Sequence, residues 1–170
     1  MNKFKQILFF IRVLLIDLDP KGNVATTFGL DKKTIGLTMN ELFKSEIEGN
    51  SLDINEFLIG PKIISKSMKD AWEKHNPNKT RGMPKNIVVN NLWLLPADLD
   101  LAGIEIDLAT RLGRENRLEI AIRQIKKDFD VIIIDTPASL GLLTINALAA
   151  AEWILIPIQS EFYALEGMGQ

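Results

Sequence analysis

The fold is decided by the stretch Asp130-Val131-Ile132-Ile133-Ile134-Asp135-Thr136-Pro137-Ala138-Ser139-Leu140-Gly141, residues 130–141. Its consecutive apolar β-branched residues, without polar alternation, predict a strand that is covered on both faces in the middle of a parallel sheet. Asp135 ends this strand, and open α/β sheets bind their ligands at the carboxyl ends of strands. Thr136 and Pro137 stop the strand, and Gly141 lets the chain turn. An ordinary core strand that ends in Asp at a turn fits this stretch equally well.

A second apolar run, Val13–Ile16, also leads into carboxylates, Asp17 and Asp19. In an extended segment these two side chains point to the same side, because side chains repeat every second residue. Two parallel strands that deliver carboxylates to one edge suit a hydrated metal ion and a water nucleophile. Asp135 then has the place of a Walker B aspartate, which holds the Mg²⁺ of a nucleotide. The alternative is a strand followed by a turn at Asp19-Pro20 that has no function.

Composition indicates one globular domain over residues 1–170, with 46% hydrophobic and 25% charged residues. The formal net charge of -2 gives no overall attraction to nucleic acid or to anionic membranes. The sequence has no cysteine, which excludes disulfides, thiol catalysis and cysteine-based zinc sites and fits a reducing cytoplasm. The single histidine, His75, argues against a Ser-His-Asp hydrolase or a multi-histidine metal site.

The amino terminus imitates a signal peptide, because Lys3 and Lys5 precede the apolar run Ile7–Ile11. Arg12 breaks the run, which is too short to span a bilayer and carries no cleavage site of small residues. We therefore expect no targeting or transmembrane segment and a cytoplasmic location.

Strands that alternate with helices from Val13 onward predict right-handed βαβ units and a parallel sheet. Capping-box spacing predicts a helix start at Thr38, and Asp53 offers the same signal. Two amphipathic helices are predicted from apolar residues at helical spacing. These residues are Leu101, Ile104, Leu108 and Leu112 in the first helix, and Leu118, Ile122, Ile125 and Phe129 in the second.

Further strands are predicted at Ile87–Val89, Leu92–Leu95 and Trp153–Ile158, the last of them buried. Between Asp135 and Trp153 an Ala- and Leu-rich helix is expected, with Thr144 as its N-cap. The segment of about 61–86 is rich in lysine and contains Pro77, Gly82 and Pro84, so it is interpreted as a basic, loop-rich insertion.

Four blocks of the sequence carry a resemblance to a known family. They are residues 13–27 (VLLIDLDPKGNVATT), 95–105 (LPADLDLAGIE), 130–141 and 156–167 (IPIQSEFYALEG). In this order they resemble the ParA/MinD family of P-loop ATPases, and in particular the ParA (Soj-like) chromosome and plasmid partitioning proteins. The resemblance implies a P-loop NTPase-like α/β fold, a three-layer α/β/α structure with a mostly parallel sheet, incomplete here at both ends.

The resemblance also implies a function. Members of the family bind Mg-ATP, form dimers with two nucleotides between the subunits, hydrolyse ATP slowly under control of a partner protein, and bind DNA non-specifically. By position, Asp135 would hold Mg²⁺ through water and Asp19 would orient the attacking water. Asp17 would support the same metal edge, and Lys21, where relatives often have glutamine, would be a phosphate contact.

One part of the family pattern does not occur in this sequence. The phosphate-binding loop Lys-Gly-Gly-x-Gly-Lys-Thr is absent, and residues 1–12 contain no glycine. The backbone amides and lysines of such a loop hold the phosphates. A catalytically inactive interaction module and a degenerate fragment therefore remain open as alternatives. A flavodoxin-like receiver domain is a further alternative, but residues 156–160 do not supply the lysine that it needs.

Overall fold

A computed structural model describes residues 11–50, 53–78, 82, 84 and 88–157. Its strands are β1 (Val13–Asp17), β2 (Leu92–Leu95) and β3 (Val131–Asp135). Within these residues they form a parallel sheet in the order β2-β1-β3. Of the described strands, β1 is therefore the central one.

Helices connect the strands. They are α1 (Asn23–Thr27), α2 (Met39–Glu48), α3 (Pro61–His75), α4 (Leu101–Ala109), α5 (Arg117–Ile122) and α6 (Leu142–Ala150). Short 3-10 turns lie at Lys32–Thr34, Ile54–Phe57, Arg114–Asn116 and Lys126–Asp128. Within the described ranges, no helix has the length and apolar character that crossing a membrane requires.

The two faces of β1 pack into different apolar clusters. Leu14 and Ile16 are fully buried in the larger cluster, together with residues of α2, α4, α5 and α6. Leu15, on the other face, packs in a smaller cluster with Ala25 of α1 and Ile64 of α3. Helices therefore lie on both faces of the sheet, and the predicted three-layer α/β/α fold is confirmed.

The helix start predicted at Thr38 is confirmed. The Thr38 hydroxyl accepts a hydrogen bond from the Asn40 amide at 3.2 Å, and the Glu41 carboxylate accepts one from the Thr38 amide at 2.9 Å. The same hydroxyl lies 2.8 Å from a carboxylate oxygen of Asp98, to which it donates. Thr38 therefore begins α2 and also ties it to the segment that follows β2. Asp53 likewise caps the turn Ile54–Phe57.

Helix α6 begins at Leu142 after Gly141, so the prediction of Thr144 as its N-cap is wrong. The Thr144 side chain instead donates back to the Ser139 carbonyl at 2.7 Å. The fully buried Asn146 fixes the helix in place. Its carbonyl oxygen accepts from the Leu118 amide at 3.0 Å, and its amide group donates to the carbonyls of Arg114 and Leu142, each at 2.8 Å.

The prediction that β3 is covered on both faces is wrong. Ile132 and Ile134 pack against the larger apolar cluster. Val131 and Ile133, which point to the opposite face, are 42% and 51% exposed. The reason is that the smaller apolar cluster on that face packs over β1 and β2 and does not include Val131 or Ile133.

The predicted strand Trp153–Ile158 is not formed over residues 153–157, and its last residue lies outside the described residues. Trp153 and Leu155 are 90% and 93% exposed, so the predicted burial is wrong as well. Residues 88–89 form no strand either, and Ile87 lies outside the described part. Leu112 is 92% exposed because α4 ends at Ala109, one turn earlier than its pattern predicts.

We expect the substitution Asn146→Ala to lower the free energy of unfolding by about 1–3 kcal/mol, because it leaves buried backbone groups without partners. Urea denaturation measures this change. The matched control is Asn78→Ala at an exposed position, where a change within about 0.5 kcal/mol is expected. Equal effects of the two substitutions would contradict the assigned role of Asn146.

Candidate functional site

The acidic residues predicted from the sequence meet at the carboxyl edge of the sheet. The register pairs Asp17 of β1 with Asp135 of β3. The Leu18 amide donates to the Asp135 carbonyl at 2.9 Å, which extends the pairing one step beyond β1. Asp19 follows directly in the loop after this step. The structure thus brings together carboxylates that are more than a hundred residues apart in sequence.

Asp17 is fully buried, and its carboxylate organises the loop that follows β1. One oxygen accepts from the Asp19 amide at 3.0 Å, and the other accepts from the Val24 amide at 3.2 Å. Burial raises the pKa of Asp17 to about 6, and the charges of Asp135 and Asp19 add to the rise, although the two amide hydrogen bonds act in the opposite direction. Asp17 therefore fixes the loop after β1 through two backbone hydrogen bonds. Its burial makes its own ionisation unfavourable.

Asp19 forms a turn and also keeps a carboxylate near the solvent. One of its carboxylate oxygens accepts from the Lys21 amide at 3.0 Å, and its carbonyl accepts from the Gly22 amide at 2.8 Å. Its other carboxylate oxygen lies 4.0 Å from the Lys21 ammonium. The Asp19 side chain is 18% exposed and that of Lys21 is 71% exposed. Lys21 thus lies on the solvent-exposed side of the loop that follows β1.

Gly22 allows the loop after β1 to pass close to the end of β2. Its φ angle is 60°, in the left-handed region that favours glycine. A Cβ atom at this position would lie 2.7 Å from the Ala97 carbonyl oxygen. Any other residue would therefore push the loop that carries Asp19 and Lys21 away from the sheet.

Asp135 is exposed at the end of β3. Partial burial raises its pKa, and the negative charge of Asp19 raises it further. Asp19 and Asp135 thus lie close enough for one carboxylate to disfavour ionisation of the other. A cation between them would remove this repulsion.

The donor set fits a hydrated Mg²⁺ ion. Mg²⁺ binds oxygen ligands, keeps several waters, and is commonly held by one or two carboxylates together with substrate phosphates. Within the described ranges no group of three or more His, Cys, Asp or Glu side chains could hold a metal ion by itself.

Sequence reasoning did not identify the role of Glu105. Its carboxylate accepts from the Leu143 amide at 3.2 Å, in the first turn of α6. It therefore anchors the end of the segment that leads from Asp135 into α6. No local signal could have shown this, because the two residues are 38 positions apart.

A large cavity of about 1210 Å³ lies beside β3. Asp135 and Thr136, at the carboxyl edge of the sheet, line it together with residues 153–155 and Pro157. Leu15 and Phe28 also contact this space, from the side of the sheet that carries α1. The candidate metal edge therefore opens into a cavity large enough for a ligand.

Comparison with known proteins gives related sequences. The AAA domain family matches residues 10–170. The sporulation initiation inhibitor protein Soj of Bacillus subtilis is 36% identical over 94% of this chain and 51% of that protein. The chromosome partitioning protein ParA of Myxococcus xanthus is 38% identical over 94% of this chain and 45% of that protein. The chain thus spans about half the length of the curated relatives it matches.

Comparison with solved structures shows that other proteins share this fold. Cobyrinic acid a,c-diamide synthase from Mycobacterium smegmatis, with bound ATP analog and magnesium, is 32% identical with a TM-score of 0.70, over 96% of this chain and 54% of that chain. A plasmid partition protein from Borrelia burgdorferi has a TM-score of 0.64 over 96% of this chain and 59% of that chain. At 23% identity, this second likeness concerns the fold alone.

The family model and the relatives match most of the chain. The same part of the chain forms the parallel sheet that pairs Asp17 with Asp135 at one edge. The chain belongs to the AAA domain family, and it is similar to the ParA/Soj-like partitioning proteins.

Proposed function

We propose that the carboxyl edge of this sheet is the metal- and water-binding half of a Mg-ATP site in a ParA-like partitioning ATPase. The observation that carries the proposal is the pairing of Asp17 with Asp135, which sets the partly exposed Asp19 near Asp135. Similarity to a synthase whose structure holds an ATP analog and magnesium supports the same ligand class.

The proposed roles follow from the position of each side chain. Asp135 is exposed at the strand end and would hold Mg²⁺ through water, while Asp19 would orient and polarise the attacking water. Asp17 already uses both carboxylate oxygens on backbone amides, so its role is to fix the loop that carries Asp19. When bound, Mg²⁺ neutralises charge on the phosphates.

Lys21 is the weakest element of the proposed site. Its side chain is solvent-exposed and can approach a phosphate, but one lysine does not replace a ring of backbone amides. The sequence contains no Lys-Gly-Gly-x-Gly-Lys-Thr loop. Because few groups are available to hold the phosphates, we propose Mg-nucleotide binding as the primary activity of this chain. Hydrolysis would be slow, at a rate that depends on which groups hold the phosphates.

The partners belong to the same proposal. Similarity to ParA and Soj supports a cytoplasmic homodimer that acts with DNA and a partner protein in chromosome or plasmid partitioning. The net charge of -2 gives no general attraction to DNA, so DNA contact would depend on local basic segments such as α3.

We expect thermal unfolding of the full chain to shift upward with Mg-ATP and not with Mg²⁺ alone. At a ligand concentration of ten times Kd the gain is about 1.4 kcal/mol, which corresponds to roughly 3–6 °C for a domain of this size. Asp135→Asn should abolish the shift because it removes the proposed metal contact. Asp70→Asn, an exposed substitution on α3 with the same change in charge, should keep it.

A cooperative melt that is indifferent to Mg-ATP would contradict the proposed site. It would favour an interaction module that keeps the family fold without nucleotide. A shift that survives Asp135→Asn would show that nucleotide binds elsewhere in the chain.

The raised pKa of Asp17 predicts a pH dependence of stability in the absence of divalent metal. The folded-state pKa of about 6 lies above the ordinary value of 3.8, so between these values the folded chain binds more protons than the unfolded chain. The free energy of unfolding should therefore fall as the pH rises from about 4 to about 6, by about 3 kcal/mol at most.

Urea denaturation from pH 4 to pH 7 measures this contribution. Asp17→Asn should reduce the slope of the profile because its side chain does not ionise, with the raised pKa of Asp135 still contributing in the same direction, whereas Asp70→Asn should keep the profile of the unsubstituted chain. Parallel profiles for the unsubstituted chain and Asp17→Asn would show that the carboxyl of Asp17 titrates equally in both states.

A further inference from the structure

The first turn of α6 is capped by a side chain from another helix. Its N-cap residue is Gly141, which has no side chain, and the first amides of a helix lack partners within the helix. The carboxylate of Glu105, on α4, accepts from the Leu143 amide at 3.2 Å instead. The helix dipole also favours a negative charge at this end of a helix. Glu105 therefore supplies the cap that the local sequence does not.

Gly141 lies directly against this carboxylate. A Cβ atom at position 141 would overlap the carboxylate oxygens of Glu105. The φ angle of Gly141 is -94°, which other residues adopt readily. The glycine is therefore required by its contact with Glu105 and not by its backbone conformation.

The segment that this carboxylate anchors borders the cavity beside β3. Thr136, at the start of the segment, and Thr144, in the first turn of α6, both line the cavity. The Thr144 hydroxyl donates to the Ser139 carbonyl at 2.7 Å, so the first turn of α6 and residues 136–140 are held together. Thr136 and residues 138–140 are exposed, so burial contributes little to their position. The position of this cavity wall thus depends on a few hydrogen bonds.

The chain reaches α4 from the other half of the acidic edge. Ala97, shortly before α4, has its carbonyl oxygen against Gly22, in the loop that carries Asp19. From there α4 carries Glu105 to the first turn of α6. The connection from β2 into α4 therefore contacts the loop after β1, and α4 itself contacts the segment after β3.

We propose that Glu105 is a positioning residue of the acidic edge, which fixes residues 136–141 and the first turn of α6 in the arrangement that a Mg-nucleotide binds. The inference rests on the proposed function of this edge. Glu105 does not line the cavity, so it acts through the segment that it anchors. The body of α6 is fixed separately, because the buried Asn146 accepts from the Leu118 amide. Loss of the Glu105 contact therefore frees the first turn while the helix stays packed.

Two variants remove the contact in different ways. Glu105→Ala deletes the carboxylate, whereas Gly141→Ala keeps it in the sequence and displaces it by overlap with the new methyl group. Glu105→Gln keeps an oxygen that can accept from the Leu143 amide, so it should retain most of the contact. The matched control is Asp107→Ala, because Asp107 is exposed on the same helix and its loss changes the charge equally.

Isothermal titration calorimetry of the full chain measures the Kd for Mg-ATP. We expect Glu105→Ala and Gly141→Ala each to raise the Kd by about tenfold, because a ligand loses affinity as the arrangement that it binds becomes less populated. The double variant should bind no more weakly than either single variant, because both remove the same contact. Glu105→Gln should bind more tightly than Glu105→Ala, and Asp107→Ala should keep the Kd of the unsubstituted chain.

An equal Kd for Glu105→Ala and Asp107→Ala would overturn the inference and leave the proposed function standing. Additive effects of Glu105→Ala and Gly141→Ala would also overturn it, because the two residues would then act independently. Failure of the unsubstituted chain to bind Mg-ATP would contradict the proposed function, and with it the role of Glu105 in nucleotide binding.

Hydrogen exchange without nucleotide separates the two failures. The Leu143 amide should exchange at least about tenfold faster in Glu105→Ala and Gly141→Ala than in the unsubstituted chain and in Asp107→Ala. The amide of Ala147 should keep its rate in all four proteins, because Asn146 still holds the body of α6. Equal exchange of the Leu143 amide in the four proteins would overturn the inference whatever the result with Mg-ATP.

Discussion

The pairing of β1 with β3 is the interaction on which the rest of the structure depends. It places Leu14 and Ile16 in one apolar cluster with Ile132 and Ile134, and in the same register it sets Asp17 beside Asp135. A shift of one residue would turn the apolar side chains of a strand to the opposite face. The hydrophobic pattern that stabilises the core therefore also fixes the geometry of the acidic edge.

The acidic edge illustrates a conflict between stability and function. Burial disfavours the ionised form of Asp17, as its raised pKa indicates, yet the carboxylate is held by two backbone amides. Those hydrogen bonds fix the loop in which Gly22 passes close to the Ala97 carbonyl. The buried carboxylate of Asp17 is therefore electrostatically unfavourable, but its hydrogen bonds fix the position of Asp19. A cation at the edge would offset part of that cost.

Local signals in the sequence predicted local structure. The carboxylates at the ends of two apolar runs and the capping box at Thr38 depend on residues close in sequence, and both predictions were confirmed. The predicted strand at residues 153–158 failed over its described part because strand formation requires a neighbouring strand. The contacts of Asn146 and Glu105 join residues 28 to 38 positions apart, so no pattern in the sequence could indicate them. The roles of Asp17, Asp19, Lys21 and Asp135 in ligand binding stay predictions.

The acidic edge couples cation binding to the protonation of Asp17. The negative charges of Asp135 and Asp19 contribute to the raised pKa of Asp17. A cation held at Asp19 and Asp135 would therefore lower this pKa and favour the ionised carboxylate, which accepts from the amides of Asp19 and Val24. Because linkage between two sites is reciprocal, ionisation of Asp17 would strengthen cation binding by the same factor.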